Sequence, residues 1–300
     1  MEARPAVDNR FVAETLPCWW MGFLRVVEIF PPLFPDSARR GGRVDLKHGI
    51  ERFVEQALTV RQFADVILVA DVKNPKLLEL PTIEAAAMLK ERAGLDAAPV
   101  LVVRDFNRRQ FLSSVLTCLS LELGHMMFAW GDDYPPRSGA TNVRDFETLA
   151  QSIREAALLR KRAAAPTRFL APVNVELLSS SEEVARARGR LRAGAEYLLA
   201  QPPTSDPDTL ERHEALIRGA RLRDRVLLNV FPFRDLADVR ESEAYFGWSL
   251  PDSLHRIAAK GERALFDAEK DVVTRIRGRG LPGVYLNTRG TPSIAERFLA

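Results

Sequence analysis

Eight short apolar runs separated by segments of helix length constrain this chain more than any other feature. They are Phe23–Phe30, Asp65–Ala70, Pro99–Val103, His125–Trp130, Arg168–Val175, Tyr197–Gln201, Arg225–Phe231 and Gly283–Asn287. Within each run the apolar residues are nearly continuous rather than alternating, the pattern of parallel strands covered on both faces. Between them, apolar residues recur at three- and four-residue steps, as at Leu112, Val115, Leu116 and Leu119, the signature of amphipathic helices. Helices are predicted over Gly49–Val60, Thr82–Ala93, Arg108–Leu121, Phe146–Arg162, Glu182–Leu191 and Pro207–Gly219. The long segment before the last strand, punctuated by Pro251 and the Gly278–Gly283 stretch, is expected to hold two or three more. An open doubly wound sheet also alternates strand and helix, but eight repeats in 300 residues point to a (β/α)₈ TIM barrel. Residues 23–300 are expected to form one such barrel and residues 1–22 an N-terminal extension.

Charge narrows the class of partner. The 43 basic and 40 acidic residues leave a net charge of +3, whereas nucleic-acid binding needs a concentrated basic surface. No nucleic-acid role is expected. The runs of arginine, Arg160-Lys161-Arg162 and Arg275, Arg277 and Arg279, read as solvated helix faces. Cys18 and Cys118 are the two cysteines, far apart and outside any metal-ligand spacing, so neither a disulfide framework nor a zinc site is expected. No apolar run reaches the roughly 20 residues of a membrane helix, and the N-terminus carries acidic residues unlike a signal peptide. A cytoplasmic protein is expected, with no membrane partner.

Gly278-Arg279-Gly280-Leu281-Pro282-Gly283 spells the dinucleotide fingerprint. It follows a helix and leads into a strand, the reverse of what phosphate binding at a helix N-terminus requires. A helix C-cap and a turn into the last strand are expected instead.

In a barrel of this kind the site lies at the C-terminal ends of the strands. The first strand ends Val27-Glu28-Ile29-Phe30-Pro31-Pro32. Desolvation of a carboxyl in such an apolar strand raises its pKa toward the value a general acid needs near neutrality; a salt-bridged interior glutamate is the equal alternative. Arg104-Asp105-Phe106-Asn107 follows the third strand and Gly131-Asp132-Asp133-Tyr134-Pro135-Pro136 the fourth. Glycine there lets backbone approach a ligand, whereas Asp105 and Asn107 can equally cap the helix that begins at Arg108. Gln201 ends the sixth strand, and its amide both donates and accepts, which suits the edge of a pterin or purine ring; it can also serve loop backbone.

These strand ends, in this order, resemble the methylenetetrahydrofolate reductase family. The family's Glu-Phe-Phe-Pro-Pro is matched by Glu28-Ile29-Phe30-Pro31-Pro32, its Arg-Asp-Arg-Asn by Arg104-Asp105-Phe106-Asn107, and its Gly-Asp-x-Pro by the stretch from Gly131 and Asp132. Its Ala-Gly-Ala leading to Thr-Gln is matched by Ala193-Gly194-Ala195 and Gln201, and its carboxy-terminal Pro-Gly-(Ile/Val) by Pro282-Gly283-Val284. The resemblance implies reduction of 5,10-methylenetetrahydrofolate to the 5-methyl form, with hydride from NAD(P)H passing through FAD. It implies that Glu28 protonates a folate nitrogen, that Asp132 stabilises the resulting cation and that Gln201 holds the pterin. On the cofactor side it implies Arg104, Asp105, Asn107, Gly131, Asp132, Asn174 and Arg190.

The sequence departs from the family where the family binds flavin. The second strand ends Val69-Ala70-Asp71-Val72-Lys73-Asn74-Pro75 in place of a Thr-Tyr-Gly-Ala-Gly-Gly-Ser-like stretch. The fifth ends Ala171-Pro172-Val173-Asn174-Val175-Glu176 in place of Tyr-Pro-Glu-x-His, and Arg190 stands for a lysine. A flavin-independent pterin-binding barrel, a subunit that needs a partner, a homo-oligomer and a non-enzymatic folate-binding protein are the alternatives. The Cys18-Trp19-Trp20-Met21 run suggests packing at the barrel's N-terminal end or a partner interface.

Overall fold

The computed structural model describes residues 22–35, 45–72, 77–131, 143 and 145–300. Eight parallel strands close into a barrel. In chain order they are β1 (Leu24–Ile29), β3 (Val66–Val69), β5 (Ala97–Val102), β6 (His125–Ala129), β7 (Arg168–Asn174), β8 (Tyr197–Gln201), β9 (Val226–Val230) and β10 (Gly283–Asn287). Two short strands, β2 (Leu33–Pro35) and β4 (Leu77–Glu79), pair antiparallel above the barrel. Closure is made by β1, which pairs β3 on one side and β10 on the other, with Leu24 opposite Gly283 and Glu28 opposite Asn287.

Helices α1 (Leu46–Val60), α2 (Thr82–Ala93), α3 (Arg108–Ser120), α4 (Leu149–Arg162), α5 (Ser181–Ala193) and α6 (Pro207–Gly219) follow the first six barrel strands. Three more, α7 (Leu236–Phe246), α8 (Asp252–Ala258) and α9 (Glu262–Gly278), lie between β9 and β10, and α10 (Ile294–Leu299) ends the chain. All eight expected strands are therefore present, together with the helices between them. The interval after β9 holds three helices because Gly247, in the left-handed region, and Pro251 separate α7 from α8, and Gly261, at φ +99°, separates α8 from α9. Among the described residues no helix is long and apolar enough to cross a membrane.

Two apolar layers explain why the strands read as unbroken runs. Inward residues of successive strands, among them Leu24, Val26, Val66, Leu68, Leu170, Leu199 and Leu227, fill the barrel. The outward residues pack under the helices, where the rings of Phe111, Phe128 and Phe169 stand 4.9–5.6 Å apart in sequence along the wall. Because successive side chains point to opposite faces, a strand covered on both sides carries apolar residues at every position. A polar residue inside such a run is then conspicuous.

The Gly278–Gly283 stretch behaves as its context demands. Gly278 ends α9, Gly280 adopts φ +65°, and Gly283 begins β10. Gly283 is required there for a second reason: a Cβ at this position would lie 2.0 Å from the Leu24 carbonyl oxygen across the barrel seam.

Candidate active site

The inward face of β1 reads Leu24, Val26, Glu28. The first two belong to the interior apolar cluster, so the third puts a carboxyl into the upper barrel, 8% exposed. Its partner is Tyr285, which sits opposite Val26 on the neighbouring strand and donates its hydroxyl to Glu28 Oε2. Burial pushes the Glu28 carboxyl up to about 7, the Tyr285 hydrogen bond opposing the shift. Burial and the adjacent Glu28 hold the Tyr285 phenol well above its ordinary range, so it keeps its proton. Near neutrality Glu28 is thus poised between acid and base, the condition for proton transfer to a bound ring. Glu28 forms no salt bridge among the described residues; its polar contact there is the Tyr285 hydroxyl.

The polar stripe continues around the barrel. Asn229, opposite Tyr285 on β9, is fully buried, and its Nδ2 donates to Gln201 Oε1 at 3.3 Å. Gln201 is half-buried at the end of β8. Four consecutive strands, β8, β9, β10 and β1, therefore present Gln201, Asn229, Tyr285 and Glu28 in lateral succession inside one wall. The structure brings Glu28 and Gln201 into the same stripe. Asp132 lies outside the described residues, as does the Cys18–Met21 run.

Asn229 and Tyr285 were not singled out from sequence, although the signal was the same as for Glu28: a polar residue in an otherwise apolar strand. Glu79 also escaped notice. Its Oε2 accepts from the Val72 amide at 2.8 Å, and burial, with Asp71 beside it, pushes its carboxyl up to about 7. It belongs to the β2–β4 pair, which alternation alone does not reveal.

The cofactor-side residues are placed differently. Arg104 is buried, 1% exposed, and grips Asp105 through Nε to Oδ1 at 2.8 Å and Nη2 to Oδ2 at 3.1 Å. Asn107 caps α3: its side chain accepts from the Gln110 amide at 2.8 Å while Gln110 reaches back to the Asn107 amide. This is a capping box, so the capping alternative holds for Asn107. Gly131 has φ +80°, and a Cβ there would meet Val102 Cγ1 at 2.4 Å, with Arg104 close behind. The close approach that glycine allows is thus to protein side chains. Arg190 lies between α5 and the barrel wall, donating to the Pro172 carbonyl at 2.8 Å and to Glu183 at 3.2 Å. Asn174 is exposed at the end of β7.

Asn174 borders a cavity of about 530 Å³ with Glu176, Pro202, Arg212, Trp248 and Leu250. Behind it His213, fully buried, contacts Glu176 Oε1 through Nε2 at 2.9 Å and the Thr204 hydroxyl through Nδ1 at 2.8 Å. Those bonds tie the turn after β7 to α6, and with Arg212 they hold Glu176 below its ordinary range. Among the described residues no group of three or more His, Cys, Asp or Glu could hold a metal ion.

These contacts bear on the flavin. Of the seven residues that the resemblance gives to the cofactor, Arg104, Asp105, Asn107 and Arg190 are engaged within the protein, and Gly131 is packed against two of its side chains. A cofactor phosphate needs uncommitted donors. Among these described residues Arg190 Nε is a buried donor without a partner and Asn174 is exposed; the other side-chain groups of the set are taken up by the protein.

No protein-family model matches the chain, and no curated protein does. Solved structures do share its fold. An uncharacterized protein from Clostridium thermocellum that binds two copies of 5-methyl-5,6,7,8-tetrahydrofolic acid superposes with a TM-score of 0.60 at 10% identity, over 93% of this chain and 96% of that one. An oxaloacetate acetylhydrolase in complex with oxalate gives 0.53 at 12% identity, over 92% and 78%. A 2,3-dimethylmalate lyase of the PEP mutase/isocitrate lyase superfamily gives 0.50 at 10% identity, over 91% and 75%. At these identities the likeness establishes the barrel and nothing finer.

Proposed function

We propose that this barrel binds a reduced folate at the β8–β9–β10–β1 wall and interconverts 5,10-methylenetetrahydrofolate and 5-methyltetrahydrofolate, with Glu28 as the proton donor. The observation that carries the reading is Glu28 itself: a buried carboxyl pushed up to about 7 beside a protonated tyrosine. In the reducing direction Glu28 gives its proton to N10, the bond between N10 and the bridging carbon breaks, and N5 becomes an iminium. Hydride from a reduced nicotinamide then adds to the exocyclic carbon, giving the 5-methyl group and the oxidised nicotinamide. Gln201 would hold the pterin edge, since an amide can donate and accept at once. The solved Clostridium thermocellum barrel, which binds 5-methyltetrahydrofolic acid, supports the choice of ligand class.

Direct transfer of hydride, without flavin, is the favoured form of this reading because Arg104, Asp105, Asn107 and Arg190 are engaged elsewhere. Two measurements test it. Purified protein, with and without added FAD, is assayed for oxidation of NADH or NADPH dependent on 5,10-methylenetetrahydrofolate, and its visible absorption spectrum is recorded. Turnover by colourless protein without added FAD, lost in Glu28→Gln with folate binding retained, is the expected result. Tight binding without turnover would leave a folate-binding protein, and a flavin spectrum with FAD-dependent turnover would restore the flavoprotein reading. An absence of folate binding would sink the proposal.

A further inference from the structure

Asn229 is expensive where it stands. The strand reads Val226-Leu227-Leu228-Asn229-Val230, and leucine at this position would fill the barrel without burying an amide. Its Nδ2 reaches Gln201 Oε1, but Oδ1 is closed to solvent and has no hydrogen-bond partner among the described residues. A buried acceptor left unmatched costs more than a hydrogen bond typically returns. Gln201 Nε2 likewise has no partner among the described residues. The two amides are thus coupled end to end, leaving the Gln201 amino group at one end and the Asn229 carbonyl at the other.

We propose that Asn229 is a positioning residue for ligand recognition, holding the Gln201 carbonyl so that Gln201 Nε2 donates to the ligand while Asn229 Oδ1 waits for a ligand N–H. A ring edge that meets both carries a carbonyl beside an N–H. That is the lactam edge of a 4-oxo pterin, and this step rests on the folate reading of the site. A 4-amino ring presents the inverse pattern, acceptor nitrogen beside amino donor, and mismatches both amides. The unmatched Oδ1 is then a cost carried by the free protein and relieved on binding, as buried polar groups at recognition sites are when the matching ligand arrives.

The test combines calorimetric titration with 5-methyltetrahydrofolate, the same titration with a 2,4-diamino pteridine analogue, and thermal unfolding of ligand-free protein. Wild type, Asn229→Leu and Asn229→Ala are compared. The expected result is that Asn229→Leu binds 5-methyltetrahydrofolate about 10- to 100-fold more weakly, yet melts at the same temperature as wild type or higher when free. Preference for the 4-oxo ring over the diamino ring should be present in wild type and collapse in both variants. Undiminished binding by Asn229→Leu, or equal binding of the two rings by wild type, overturns the role assigned to Asn229. So does early melting of both free variants with unchanged affinity of the folded fraction. If wild type fails to bind 5-methyltetrahydrofolate, the folate reading falls and this role with it; binding by wild type with no loss in the variants removes the Asn229 role alone.

Discussion

Replacing Glu28 by glutamine should change how the barrel's stability depends on pH, in a direction fixed by where the carboxyl sits. In the folded chain Glu28 titrates at about 7 against an ordinary value of 4.5, so over this interval the native state holds a proton that the unfolded chain has released. A carboxyl raised in this way contributes stability that is fully present below the unfolded value and lost as pH rises through the folded one. The full loss is about 3.4 kcal/mol, at about 1.36 kcal/mol per pKa unit. Between about pH 5 and about pH 8, where both states partly titrate, the change is about 2.5 kcal/mol. Glutamine keeps an acceptor for Tyr285 and has nothing to titrate. Glu79 and Glu269 are also raised, but they are common to both proteins and cancel in the difference. Urea unfolding of wild type and Glu28→Gln across this range should therefore show wild type losing about 2.5 kcal/mol relative to the variant as pH increases. A difference that is flat with pH, or that grows in the opposite sense, would refute the burial argument and leave Glu28 an ordinary ionised side chain.

Tyr285→Phe removes the hydrogen bond that opposes the rise of the Glu28 pKa. If Glu28 is the proton donor, the alkaline limb of the rate–pH profile should move to higher pH; a move to lower pH would exclude Tyr285 as the group that tunes it. Phe128→Ala opens a hole between the rings of Phe111 and Phe169 and should cost about 3–5 kcal/mol in denaturant unfolding. Gly283→Ala drives a methyl into the Leu24 carbonyl at the closing seam. Overpacking against rigid backbone should cost at least about 1–3 kcal/mol, read as a lowered melting temperature. A variant that melts like wild type would mean that the seam yields more easily than its parallel register implies.

The fold was legible because barrel geometry writes itself twice into each strand: inward residues such as Val26 and outward ones such as Val27 are both buried, so the apolar run is continuous and its bounds are sharp. Glu28 was legible for the same reason, as an exception to the run. By that logic Asn229 and Tyr285 carry the same signal, but neither is followed by a motif such as the Pro31-Pro32 pair that marks Glu28. They lie inside their strands and reach the site because the barrel's upper interior is part of it. The cofactor side is ambiguous in sequence for a different physical reason. Arg104-Asp105-Phe106-Asn107 contains the residue types that bind phosphate and ribose, and they are also the types that pair across a tight turn and cap a helix. The Gln110 that completes the capping box lies three residues after Asn107, at the spacing of a helix N-terminus. That spacing was in the sequence, and it discriminates: an asparagine whose side chain already receives an amide from its own helix has one fewer acceptor to offer a ligand. Weighed in this way, the matched Arg-Asp-x-Asn motif argues for the start of α3 before it argues for a flavin, whereas the stripe from Gln201 to Glu28 has no structural role that an apolar wall would not perform better.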